Sequence, residues 1–173
     1  MKNNLEIVQT IAKVLKIIMK IIMIITYVSA ALTLIAGSLL VMGVLNAENQ
    51  YLHFISVHAG LTEEMLAMTL IAAAISLLFT AIISTLLYVY FVKELKDGTP
   101  FTFSGADRLM KLGIAVAVLS VVSDAVTSAI IEHNSLSFMT NPADSVDITL
   151  GIGMILLSFV FRYGAELEQT AKR

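Results

Sequence analysis

The chain predicts an all-α, integral membrane four-helix bundle with both termini in the cytoplasm, and three observations lead there. Apolar residues make up 58% of the 173 residues and charged residues 14%, with a mean hydropathy of +0.89. A water-soluble domain of this size does not keep that much apolar surface from water. The apolar residues gather into four long runs, and the basic residues fall on alternate sides of them. Lys2, Lys13, Lys16 and Lys20 precede or enter the first run, Lys93, Lys96, Arg108 and Lys111 separate the second from the third, and Arg162, Lys172 and Arg173 follow the fourth. The segments from Asn46 to Glu64 and from Glu132 to Asp147 hold no Lys or Arg. Basic residues flanking membrane spans are retained on the cytoplasmic side, so the pattern predicts one transmembrane domain over residues 1–173, N-in and C-in.

The first span is expected over about residues 17–45. It is interrupted only by Lys20, and it exceeds both the roughly 7–15 residues of a signal-peptide core and the ~20 needed to cross a bilayer. Before it, Leu5, Val8, Ile11, Ala12 and Leu15 recur at helical spacing with Lys13, Lys16 and Lys20 on another face. That is the pattern of an amphipathic interfacial helix running into the span, or of a simple extension whose lysines snorkel to headgroups.

The second span is expected over about residues 65–92. Thr62-Glu63-Glu64 supplies a capped, acidic first turn, and Tyr88, Tyr90 and Phe91 mark the inner interface. Gly98 and Pro100 then suit a helix stop and a tight turn. Ser104 and Asp107, three residues apart, predict a capping box at the start of the third helix, whose span covers about residues 112–131. Asn141-Pro142 suits a helix start in the second outer loop, and the fourth span, over about residues 146–161, is the shortest, with Arg162 and Tyr163 at the inner interface.

The absence of cysteine excludes disulfides and thiolate chemistry. No Ser/His/Asp order, phosphate-binding glycine loop or carboxylate pair is visible, and Gly151-Ile152-Gly153 fits helix packing better than nucleotide binding. The chain is therefore expected to be non-enzymatic and to carry no cofactor. His53, His58 and His133 with Glu132 are the residues a metal would use, but the spacing of His53 and His58 does not share a helix face as an i, i+4 pair does, and no metal is expected.

Two constellations carry functional expectations. Asp124 is the ionisable residue deep inside a span, where a carboxylate costs about 2.5–3.5 kcal/mol on insertion scales and therefore faces protein or water. Ala72, Ser76, Thr80 and Ser84 recur every fourth residue on the second span, a spacing that allows close helix approach. Matching depths from the outer ends places Ser76, Ser38 and Gly37 near Asp124 in an intramembrane polar cluster. This cluster serves structure, or else solute transport or immunity to a toxin. The small-residue stripe alternatively forms a contact within a larger membrane complex or a homodimer. The second constellation is a cytoplasmic docking face built from Lys96, Asp97, Asp107, Arg108, Lys111, Arg162 and Glu166, with Lys93 and Glu168 beside it. Its basic residues also contact anionic headgroups of the bilayer, and Arg162 is expected to reach Asp97, Asp107 or Glu166.

The string Asp97-Gly98-Thr99-Pro100-Phe101-Thr102, followed by Ala106-Asp107-Arg108-Leu109 and a Lys-Leu-Gly step at Lys111 to Gly113, resembles the connection between the second and third spans of a YoaS-type family. That is a bacterial family of four-span membrane proteins of unknown function. Phe161-Arg162-Tyr163-Gly164-Ala165-Glu166-Leu167-Glu168 is similar to the family's carboxyl-terminal signature, although this chain continues in Gln169-Thr170-Ala171-Lys172-Arg173 rather than in a more acidic tail. The resemblance implies a bacterial cytoplasmic membrane protein encoded beside a small helix-turn-helix DNA-binding protein. It thus implies a regulatory role, with that transcription regulator docked on the cytoplasmic face and no direct contact with nucleic acid.

Overall fold

A computed structural model describes residues 2–42, 62–97, 102–133 and 146–171, all but three of them helical. The four helices are α1 (Lys2–Val41), α2 (Glu63–Asp97), α3 (Phe103–His133) and α4 (Val146–Ala171). Each is long and apolar enough to cross a membrane, the pattern of a multi-pass membrane protein. α4 has the shortest candidate span, at 20 residues, as its sequence predicts.

The helix ends follow local chemistry. α1 is unbroken through Lys16, Ile17 and Lys20, so the amphipathic segment and the first span are one helix. It is described to Val41, where Met42 N–H donates to Ser38 O at 3.0 Å, and the expected boundary at residue 45 lies outside the described residues. Thr62 caps α2 as expected, its Oγ1 accepting from Met65 N–H at 3.2 Å. α2 then runs more than a turn past Val92 to Asp97, carrying Lys93, Glu94 and Lys96 on helix rather than in a connection.

The start of α3 departs from expectation. Thr102, not Ser104, is the cap: its Oγ1 accepts from Gly105 N–H at 2.9 Å, and its carbonyl accepts from Ala106 N–H. Ser104 is already inside the helix and exposed. Of Thr102 and Ser104, the one that caps is the one whose own backbone is still outside the helix.

The chain divides into two compact units. The first comprises Met1–Ile24, Ala81–Val121 and Asp144–Arg173, the second Ile25–Thr80 and Val122–Ala143. In the first, Ile83, Leu87, Leu109, Leu112 and Val116 form an aliphatic core, with Met19, Tyr90, Met154 and Phe161 packed against it. There α3 and α4 cross at glycines. A Cβ on Gly113 would sit 2.7 Å from Gly151 O, and one on Gly151 would sit 2.8 Å from both Gly113 O and Ala117 N. Backbones this close exclude any side chain. Gly153 has open space where its Cβ would be, so of the two glycines in the Gly-Ile-Gly step only Gly151 packs.

The second unit is built from small residues. Ala30, Ala67, Ala72 and Ala74 are buried, and a Cβ on Gly37 would lie 3.0 Å from Ile71 and 3.3 Å from Ala67 O. Gly37 is thus seated against the first turns of α2. Along α3 the buried side chains include Ala106, Leu109, Leu112, Val116, Ser120, Ser123, Thr127 and Ile131, at intervals of three and four, which is the seam expected of a packed helix. The seam is aliphatic in its first half and hydroxyl-rich in its second. α1 is the most exposed helix, with 6% of its most apolar stretch buried against 28% for α2, and its isoleucines from Ile11 to Ile35 stand largely open. In a lipid solvent such a surface needs no protein cover.

Candidate functional site: a basic cleft between the second and third helices

The last turns of α2 and the first turns of α3 carry the charge of the first unit. Glu94 lies within the final four residues of α2 and is 7% exposed. A carboxylate there is disfavoured twice, by burial and by the negative end of the helix dipole. Arg108, on the second turn of α3, offsets both. Its Nη1 stands 3.8 Å from Glu94 Oε1, and its side chain is about one-third exposed where that of Glu94 is nearly covered. The ion pair therefore has a buried acidic end and an open basic end, and at 3.8 Å it is a charge contact rather than a hydrogen bond: neither carboxylate oxygen of Glu94 has a hydrogen-bond partner among the described residues.

Beside this pair lies an open cleft of about 260 Å³. Leu86, Val89, Tyr90 and Lys93 of α2 form one wall, and Arg108, Lys111, Leu112 and Ala115 of α3 form the other. The cations occupy the end nearest the α2–α3 connection, and the aliphatic residues lie deeper along both helices. The arrangement offers positive charge at a rim and apolar surface below it.

Of the predicted docking residues, Arg108 and Lys111 meet in this cleft together with Lys93. Lys96, Asp107, Arg162 and Glu166 are exposed on their helices, while the side chain of Asp97 lies outside the described residues. The expected pairing of Arg162 with Asp107 or Glu166 is not formed among the described residues. The acid that meets an arginine is Glu94, and the arginine is Arg108. Sequence reasoning passed over Glu94 because it stands between Lys93 and Lys96, where the lysines read as topology markers. An acid at the C-terminal end of an apolar run, with an arginine fourteen residues on in the next helix, is the signal that was available.

Among the described residues, no hydrogen bond joins the members of the predicted intramembrane cluster, which all belong to the second unit. Ser38 Oγ donates to Leu34 O of its own helix at 2.7 Å, and Thr80 Oγ1 donates to Ser76 O at 3.1 Å. Thr33, Ser120 and Ser158 likewise turn back to carbonyls of their own helices, which is how hydroxyls are commonly satisfied within apolar helices. Gly37 sits against Ala67, Leu70 and Ile71, and Ile71 is itself about 7.5 Å along the helix from Ser76. Depth matching from the helix ends placed these residues at one level, but it did not account for Gly37 packing against the first turns of α2. Asp124 lies half-buried beside the hydroxyl half of the α3 seam, next to Ser123 and one turn from Ser120 and Thr127. Thr127 is 2% exposed, and its hydroxyl makes no hydrogen bond among the described residues. The sequence reading missed this run of α3 hydroxyls in favour of the stripe on α2. His53 and His58 fall outside the described residues, as does the side chain of His133.

The chain matches no protein-family model, no curated protein and no solved structure.

Proposed function

We propose that the chain is a non-enzymatic regulatory protein of a bacterial cytoplasmic membrane, with both termini in the cytoplasm, that docks a cytosolic partner on the face formed by the basic end of α2 and α3 and the end of α4. The observation that carries this reading is the Glu94–Arg108 ion pair. It fixes the approach of α2 to α3 at the point where charged side chains of both signs are exposed: Lys93, Lys96, Asp107 and Lys111, with Arg162 and Glu166 on α4. A preset surface of mixed charge favours steering and specificity in a partner over bulk affinity. The resemblance of residues 97–113 and 161–168 to the YoaS-type family supports a small helix-turn-helix regulator as that partner, with the alternating Lys and Arg distribution setting the sidedness. The interfacial role of the first turns of α1 belongs to the same reading.

Affinity purification of the full chain from its host membranes, followed by mass spectrometry, tests it. Recovery of a small DNA-binding protein by the wild type but not by an Asp107→Ala/Arg162→Ala variant is the expected result. Recovery of no soluble protein by either one overturns docking. A second reading, a small transporter or immunity protein, rests on Asp124 beside the buried hydroxyls Ser120, Ser123 and Thr127. It predicts that Asp124→Asn abolishes transport or protection while changes at the docking face are tolerated.

A further inference from the structure

The cleft between α2 and α3 shares Lys93 and Lys111 with the docking face and adds an apolar floor that docking does not use. Four of its eight lining residues are aliphatic, three are basic and one is Tyr90. The aliphatic ones are ordered below the basic ones: Leu86 precedes Lys93 by seven residues on α2, and Ala115 follows Lys111 by four on α3. At 1.5 Å per residue the cleft thus runs about 6–10 Å from charged rim to apolar floor. A soluble anion would satisfy the rim and leave the floor in contact with nothing it prefers. A purely apolar ligand would bring hydrocarbon up to three cations.

Volume narrows the choice. At about 260 Å³ the cleft is below the roughly 300–1,000 Å³ that encloses a drug-sized ligand. Being open, it suits a ligand that seats one part and leaves the rest in the surrounding solvent. For a helix pair of this hydropathy that solvent is lipid. Charge narrows it further. Glu94 offsets the charge of Arg108 at 3.8 Å, and among the described residues no ion pair engages Lys93 or Lys111, so the rim presents two ammonium groups beside a guanidinium, a donor set suited to phosphate oxygens.

We infer that this cleft binds one anionic phospholipid, its phosphate held by Lys93, Arg108 and Lys111 and the first part of an acyl chain laid along Leu86, Val89, Leu112 and Ala115. The inference rests on the cleft alone and stands or falls independently of a cytosolic partner.

The test is native mass spectrometry of the full chain in detergent micelles doped with equal amounts of phosphatidylglycerol and phosphatidylcholine. The wild type is expected to retain phosphatidylglycerol preferentially. Lys93→Ala/Lys111→Ala is expected to weaken that preference by about fivefold for each cation removed, with an unchanged melting temperature. A Lys13→Ala/Lys20→Ala variant, which alters cations outside the cleft, should retain it in full. Equal retention of the two lipids by the wild type overturns the proposal, as does a preference indifferent to Lys93 and Lys111. Displacement of the lipid by millimolar inorganic phosphate also overturns it, since that outcome makes the site one for a free anion.

Discussion

Arg108 Nη1 stands 3.8 Å from Glu94 Oε1, joining the second turn of α3 to the last turns of α2, and the acid is the covered partner. Removing the arginine leaves a buried carboxylate without its cation, whereas removing the acid leaves a cation that can turn to water or headgroups. Arg108→Ala is therefore expected to destabilise the fold by about 2–4 kcal/mol, less than a fully buried pair because the arginine is partly open. Glu94→Gln, which keeps the volume and removes the charge, should cost less. The double variant Glu94→Leu/Arg108→Met should recover most of the loss in thermal unfolding in detergent. Additive losses in that cycle would mean that the two side chains act separately.

The Gly113–Gly151 crossing gives a sharper contrast. Gly151→Ala forces a methyl to within 2.8 Å of Gly113 O, and since the obstacle is backbone, α3 and α4 must separate. The expected cost is about 1–3 kcal/mol. Gly153→Ala, two residues away with open space around its Cβ position, should gain about 0.5–1 kcal/mol of helix propensity. Opposite shifts in melting temperature are the expected outcome, and equal shifts would place the crossing elsewhere.

The cap of α3 is testable in the same way. Thr102→Ala removes the acceptor of Gly105 N–H and is expected to cost about 1 kcal/mol. Ser104→Ala, at an exposed position inside the helix, should be close to neutral. A larger loss at Ser104 would restore the capping box with Asp107.

These comparisons mark where the sequence stops being informative. Four apolar helices are legible because composition and run length act on each segment alone, and Thr62 is legible as a cap because no other hydroxyl stands beside it. Thr102 is not, because Thr99 and Ser104 compete and only the backbone path decides between them. Glu94 and Gly113 were hidden for a different reason: each acquires its role from a residue on another helix, Arg108 and Gly151. The small-residue stripe on α2 meets the same limit. The period of Ala72, Ser76, Thr80 and Ser84 is real, but their burial is unequal, and the deepest positions on α2, Ala67, Ala74 and Ala81, recur every seventh residue instead.

Asp124 separates the two functional readings. It stands half-buried beside Ser123 and one turn from Ser120 and Thr127, on the hydroxyl half of the α3 seam. Among the described residues no hydrogen bond or ion pair to a neighbouring helix fixes it, as one fixes Glu94. A carboxylate that holds no partner contributes little to the fold, and inside a span it costs about 2.5–3.5 kcal/mol when charged. Asp124→Asn keeps the shape and removes that cost, so the expected result is an unchanged or modestly raised melting temperature. Under the docking reading, recovery of a cytosolic partner should also be unchanged, because the face that binds it lies at the other end of α3. A variant that folds and docks normally but loses a transport or protection phenotype would move the function from the basic end of α3 to its hydroxyl half. A variant that loses stability by several kcal/mol would instead mean that Asp124 bonds to residues beyond those described, making it a structural acid like Glu94.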